Sequence, residues 1–132
     1  MKGVDTNILI RFLIGDDEQQ TKKVYKIFKK AESDKKELFV PLLVVLEFVW
    51  VLESAYEISR DEILDSISDL LLMPILKFEH QSALQQFLLS AQGSRCELSD
   101  LLIAHSAKIN GCETVITFDK KASKFNLFEL AK

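Results

Sequence analysis

The feature that most constrains this sequence is the alternation of very short apolar runs with longer segments of helical periodicity. Leu38 to Val40 is apolar throughout and is followed at once by Pro41, which reads as a buried strand. Met1 to Val4, Met73 to Phe78 and Thr114 to Phe118 read as further strands, with Pro74 suited to a strand's start. Between them lie helical patterns. An apolar segment with Ile8, Leu9, Phe12 and Leu13 stops at Gly15, and Asp16 or Asp17 can cap an amphipathic helix burying Val24, Ile27, Phe28 and Ala31. Pro41 is placed to open a helix reaching about Tyr56, so apolar all round that it is expected to be buried. Ser59 and Glu62 form a capping box for a helix with Ile63, Leu64, Ile67, Leu70 and Leu71 inward. Further helices are expected from about Glu79 to Gln92, ended by Gly93, and from a Ser99 cap through Asn110, ended by Gly111. Asp119 to Lys124 reads as a helical turn and Phe125 to Leu130 as an edge strand. Strands alternating with helices imply a mostly parallel sheet covered on both faces, a three-layer α/β/α sandwich.

The 132 residues suit one domain, 1–132, with a single core. Hydrophobic residues at 48 %, with only 4 Gly and 2 Pro, exclude a disordered or low-complexity chain. With 17 basic and 20 acidic residues the net charge is -3, so nucleic acid would have to be held locally rather than by the whole surface. The longest apolar stretch, Leu38 to Leu52, contains Pro41 and Glu47 and falls short of the roughly 20 residues that a membrane span needs. No apolar stretch of the secretory kind follows Met1, so a cytoplasmic location is expected. Cys96 and Cys112 lack metal-site or redox spacing and read as small, mostly buried thiols.

Four carboxylates stand out. Asp5 and Asp119 each follow a predicted strand, at the sheet edge where α/β proteins bind ligands. Glu47 has Leu43, Val44, Trp50 and Val51 as its helical neighbours, so it cannot face solvent without exposing Trp50. A buried carboxylate must be neutralised, paired or bound to metal. Asp100 has Ile103, Ala104 and Ala107 on its helical face and lies near a helix N-terminus, which favours negative charge. Singly, Asp119 could be an N-cap, Asp5 a turn residue, Asp100 a partner of the helix dipole and Glu47 half of a buried salt bridge. Jointly, an oxygen-only cluster without interleaved His or Cys suits Mg²⁺ or Mn²⁺ rather than zinc or copper.

The surroundings of these acids carry a resemblance. Val4-Asp5-Thr6-Asn7-Ile8-Leu9-Ile10-Arg11, Val45-Leu46-Glu47-Phe48, Leu98-Ser99-Asp100-Leu101-Leu102-Ile103-Ala104 and Val115-Ile116-Thr117-Phe118-Asp119-Lys120-Lys121 together resemble the PIN-domain nucleases, most nearly the VapC-type toxins of toxin–antitoxin pairs. The resemblance spans the chain and follows the family's order of motifs. It implies a five-stranded sheet of order 3-2-1-4-5. Asp5, Glu47, Asp100 and Asp119 match the family's acidic quartet, with Asp5 and Asp100 the direct metal ligands. Asn7 and Thr117 match supporting positions that orient a carboxylate or a water. It further implies a Mg²⁺- or Mn²⁺-dependent endoribonuclease acting on structured RNA such as tRNA or rRNA, a small antitoxin partner and a homodimer.

Other polar residues invite weaker readings. His105, five residues from Asp100, falls about 140° around an ideal helix from it and is expected at the surface or an interface. His80 has no partner at ligand spacing. Glu97, three residues before Asp100, reads first as a solvated loop residue and second as an extra acid. Lys120, Lys121 and Lys124, beside Asp119, could contact substrate phosphate or simply be solvated. Arg11 could do the same or form a salt bridge. Two other functions remain: a PIN nuclease of RNA processing or turnover without an antitoxin, and a receiver-like signalling module. The second gives Glu47 no task.

Overall fold

Three residues of continuous apolar character, Leu38–Val40, form the central strand β2 of a parallel three-stranded sheet. The computed structural model describes residues 1–132, arranged as two compact units, Met1–Glu79 and His80–Lys132. In the first, β1 (Lys2–Gly3) pairs with β2 in the register Lys2 to Leu38, and β3 (Leu76–Phe78) pairs on the other side with Leu76 beside Leu38. The Val4 amide extends the first ladder to the Phe39 carbonyl at 2.9 Å, and the Glu79 amide extends the second to Val40 at 2.9 Å.

Four helices accompany this sheet: α1 (Thr6–Leu13), α2 (Glu18–Ser33), α3 (Leu42–Ser54) and α4 (Arg60–Leu71). Their starts follow local chemistry. The Asp17 carboxylate accepts from the Gln20 amide at 3.0 Å, and the Ser59 hydroxyl accepts from the Glu62 amide at 3.3 Å, as the capping patterns predict. Pro41 starts α3 but offers no side-chain acceptor; Glu79, just past β3, supplies one by accepting from the Leu42 amide at 2.8 Å. Gly15 ends the α1 segment at φ +66°, a left-handed conformation open to glycine. The core combines Leu9 and Ile10 of α1, Val24 and Phe28 of α2, Val45, Phe48, Val49 and Leu52 of α3, and Ile63, Ile67 and Leu70 of α4. Phe12 packs between Tyr25 and Phe28, with ring centroids 5.4 and 4.9 Å away. Ile27, expected inside, is instead exposed, because Val24, Phe28 and Ala31 already complete the buried stripe of α2.

The second unit holds α5 (Gln81–Gln92), α6 (Leu98–Ile109), β4 (Val115–Thr117), a 3₁₀ turn (Ala122–Lys124) and β5 (Phe128–Leu130). β4 and β5 pair in parallel, Val115 with Phe128 and Thr117 with Leu130. Gly111 closes α6 at φ +89°. Ser99 does not cap this helix; Glu97 occupies the cap position and Ser99 lies within the first turn.

The architecture is therefore mixed α/β with six helices and only parallel pairings. The strands form two sheets, β1-β2-β3 and β4-β5, where one of five strands was expected. β1 is only two residues long and bonds β2 alone, and β4 bonds β5 alone. No helix is long and apolar enough to cross a membrane.

Candidate active site

Each candidate carboxylate lies at an element boundary or on a helix face, and its local bonds follow from that place. Asp5, separated from β1 by Val4, caps α1, its Oδ1 accepting from the Thr6 amide at 2.7 Å. The carboxylate itself is exposed, while the neighbouring Thr6 hydroxyl is buried without any hydrogen-bond partner. Such an orphan is unusual, since buried hydroxyls normally find a partner. Asn7 is exposed in the first turn of α1.

Glu47 departs from expectation. It is exposed on α3, and so are Leu43 and Trp50, at 77 % and 62 %. The premise that Glu47 and Trp50 share a fate holds, but the shared fate is exposure. Val45, Phe48, Val49 and Leu52 occupy the inward stripe, so positions 43, 47 and 50 fall together on the opposite side. A carboxylate is thus framed by two large apolar side chains at the surface.

Arg11 is occupied. Its Nη1 lies 3.0 Å from Asp16 Oδ1 and 3.3 Å from the Tyr56 hydroxyl, and its Nε donates to Gln20 at 2.7 Å. Of the two readings of this residue, the structure has the salt bridge. The Tyr56 hydroxyl also donates to Asp16 Oδ2 at 2.8 Å. That bond, followed by the Arg11 charge, holds the Asp16 carboxyl below the usual carboxylate range despite partial desolvation.

In the second unit, Asp119 follows β4 and organises the next turn. Its Oδ1 accepts from the amides of Lys121 at 2.8 Å and Ala122 at 3.2 Å, while its own amide donates to the Thr117 hydroxyl at 3.0 Å. Thr117 therefore fixes the backbone that aims Asp119, a local side-chain-to-backbone bond of the kind turns favour. Asp100, half-buried in the first turn of α6, has its pKa raised: burial contributes most, then the charges of Glu97 and Asp119. Two other acids of this unit thus oppose the ionisation of Asp100. Sequence reasoning set Glu97 aside as a solvated loop residue, and it is exposed, yet its spacing of three from Asp100 brings its charge to bear.

No three of the Asp, Glu, His and Cys side chains are gathered as a ready metal-holding group. Uncompensated carboxylates repel, and those of Asp5 and Asp119 are each engaged by backbone amides. The donor chemistry nevertheless fits a hard divalent cation, being oxygen-only around a carboxyl whose ionisation is opposed by its neighbours.

A family model described as PIN domain matches residues 3–126. The chain belongs to the PIN domain family. It is also similar to a VapC ribonuclease of Aquifex aeolicus (strain VF5), at 26 % identity over 124 residues, covering 94 % of this chain and 91 % of the relative. The matched range includes Asp5, Asn7, Glu47, Asp100, Thr117 and Asp119 and stops short of β5.

Two residues of this PIN domain behave differently from their sequence reading. His105 is buried, its Nε2 2.7 Å from the Ser90 hydroxyl. It lies on the α6 stripe of Leu98, Leu101 and Leu102 that packs against α5, so the side turned from Asp100 faces protein rather than water. Burial, and then Lys108, hold its pKa below the usual imidazole value. Cys96 is buried as expected, but Cys112, just past Gly111, is exposed.

Proposed function

We propose that this PIN domain is a Mg²⁺- or Mn²⁺-dependent endoribonuclease and the toxin of a type II toxin–antitoxin pair, cutting structured RNA such as tRNA or rRNA. The observation that carries the reading is the PIN family match over residues 3–126, which includes Asp100, a half-buried acid in the first turn of α6. A carboxylate kept in that setting gains most from a cation. Membership of the PIN family supports taking Asp5, Glu47, Asp100 and Asp119 as one catalytic group on a single domain, 1–132, with sheet order 3-2-1-4-5 and helices on both faces.

Asp5 and Asp100 would hold the metal, with Glu47 and Asp119 completing the oxygen donors. When bound, a divalent cation lowers the pKa of a coordinated water and stabilises charge on the scissile phosphate. The protein's own contribution is positioning. Thr117 holds the turn that orients Asp119, Asn7 offers an amide beside Asp5, and Lys120, Lys121 and Lys124, all exposed, offer phosphate contacts. Water adds to phosphorus, the P–O3′ bond breaks, and the 3′ oxygen leaves with a proton, giving 5′-phosphate and 3′-hydroxyl ends.

The exposed Leu43 and Trp50 flanking Glu47 support a homodimer through α3, since large apolar side chains grouped at a surface mark contact sites. The toxin reading rests on the similarity to the VapC ribonuclease and carries with it a cytoplasmic location and a small antitoxin as partner. The test is incubation of the purified chain with total cellular RNA, with Mg²⁺ or with excess chelator, followed by sequencing of new ends. Cleavage only with metal and 5′-phosphate products are expected. Metal-independent cutting that leaves 2′,3′-cyclic phosphate overturns the mechanism.

A further inference from the structure

An open cavity of about 700 Å³ lies wholly within the second unit, among α5, α6, their connection and the segment from the 3₁₀ turn to β5. Its wall contains Arg95, Lys108, Lys121 and Lys124 and not one Asp or Glu. In a chain of net charge -3 this is a local reversal of sign. All four cations are exposed, and none enters an ion pair within the chain. Ser90 and buried His105, joined at 2.7 Å, add fixed polar groups to the same wall. Phe125, half-buried, adds an aromatic ring.

We propose that this cavity is a second RNA subsite, holding the phosphate backbone of a single-stranded segment that flanks the cleaved bond while Phe125 stacks on a base. The inference rests on the ribonuclease reading above and extends it to positions outside the acidic set. Three features favour a nucleic acid strand over a lone anion or an acidic peptide. The volume suits a ligand of nucleotide size, far more than one phosphate requires. The cations come from three separate segments, as a strand carrying several charges needs. An aromatic ring among unpaired cations is the combination that single-stranded nucleic acid sites use. The rim is also continuous with the candidate active site, because the Asp119 carboxylate accepts from the amide of Lys121, one of the four cations.

The experiment is fluorescence anisotropy of a labelled six-nucleotide RNA titrated with the full chain in excess chelator, repeated across salt concentrations. Arg95→Gln and Lys108→Gln, both at exposed positions, are compared with wild type after thermal melts show that they fold. Each is expected to weaken binding by roughly 3- to 10-fold and to lower the slope of log affinity against log salt by about 0.7. Phe125→Leu is expected to weaken binding with the slope unchanged. Unchanged affinity in the double variant that combines Arg95→Gln with Lys108→Gln overturns the proposal. So does full displacement by millimolar inorganic phosphate, which marks a free-anion site, or equally tight binding of hexaglutamate, which marks a protein partner. Wild-type cleavage alongside unaltered binding by the double variant rejects the subsite and leaves the nuclease standing. RNA binding that depends on Arg95 and Lys108, without cleavage at saturating metal, retains the RNA cavity and rejects the nuclease.

Discussion

Asp100 carries an acid in surroundings that oppose its charge. Its proton is held more tightly folded than unfolded, so stability falls as pH rises through the ordinary carboxylate range to the raised folded value, and the loss persists above it. Asp100→Asn should therefore raise the melting temperature of the metal-free protein at pH 7, with the difference vanishing near pH 3; a lower melting temperature at pH 7 contradicts the assignment. Asp16 has the opposite sign. Its lowered pKa stabilises the fold above the unfolded carboxylate value, and that contribution is lost as pH falls through the folded value. In Tyr56→Phe, which removes the largest cause, the Asp16 carboxyl followed by NMR should titrate at higher pH than in wild type. Asp5, Asp100 and Asp119 were legible in sequence as acids at strand ends and at a helix start. The influence of Glu97 was less so, because it comes from side-chain proximity that a spacing of three permits without requiring.

At the scale of elements, α3 shows what periodicity can and cannot tell. Pro41 marks its start and its length is close to expectation, yet a helix apolar all round offers no sign of which side lacks a partner. Only the packing of Val45, Phe48, Val49 and Leu52 leaves Leu43, Glu47 and Trp50 outside. Two substitutions separate the faces. Phe48→Ala should cost about 3–5 kcal/mol in chemical denaturation, the usual loss for a fully buried ring. Trp50→Gln should cost far less in the monomer and should instead weaken self-association in sedimentation equilibrium. An unaltered association constant rules out α3 as the dimer contact. His105 teaches the same lesson on α6: its angle from Asp100 was readable from spacing, but the presence of α5 on that side was not.

At the scale of the molecule, sequence alternation was enough to establish an α/β chain with parallel strands, because parallel neighbours require long crossovers and those crossovers read as helices. The division of the ladders into β1-β2-β3 and β4-β5 was not legible, since strands of two and three residues carry little pattern to fix their neighbours. If residues 1–132 act as one cooperative domain, calorimetric melting should show a single transition with matching calorimetric and van't Hoff enthalpies, and two resolved transitions would contradict that. Net charge also changes meaning at this scale: -3 describes the whole chain, while unpaired cations line one cavity and the charges of Glu97 and Asp119 bear on Asp100. The central claim is that Asp5, Glu47, Asp100 and Asp119 form the catalytic group of a metal-dependent ribonuclease. Its most direct test is the rate of RNA cleavage at saturating Mg²⁺ or Mn²⁺ by wild type and by folded Asp100→Asn. The account predicts a loss of at least about 100-fold, the scale of removing one positioned catalytic group; equal rates would contradict it.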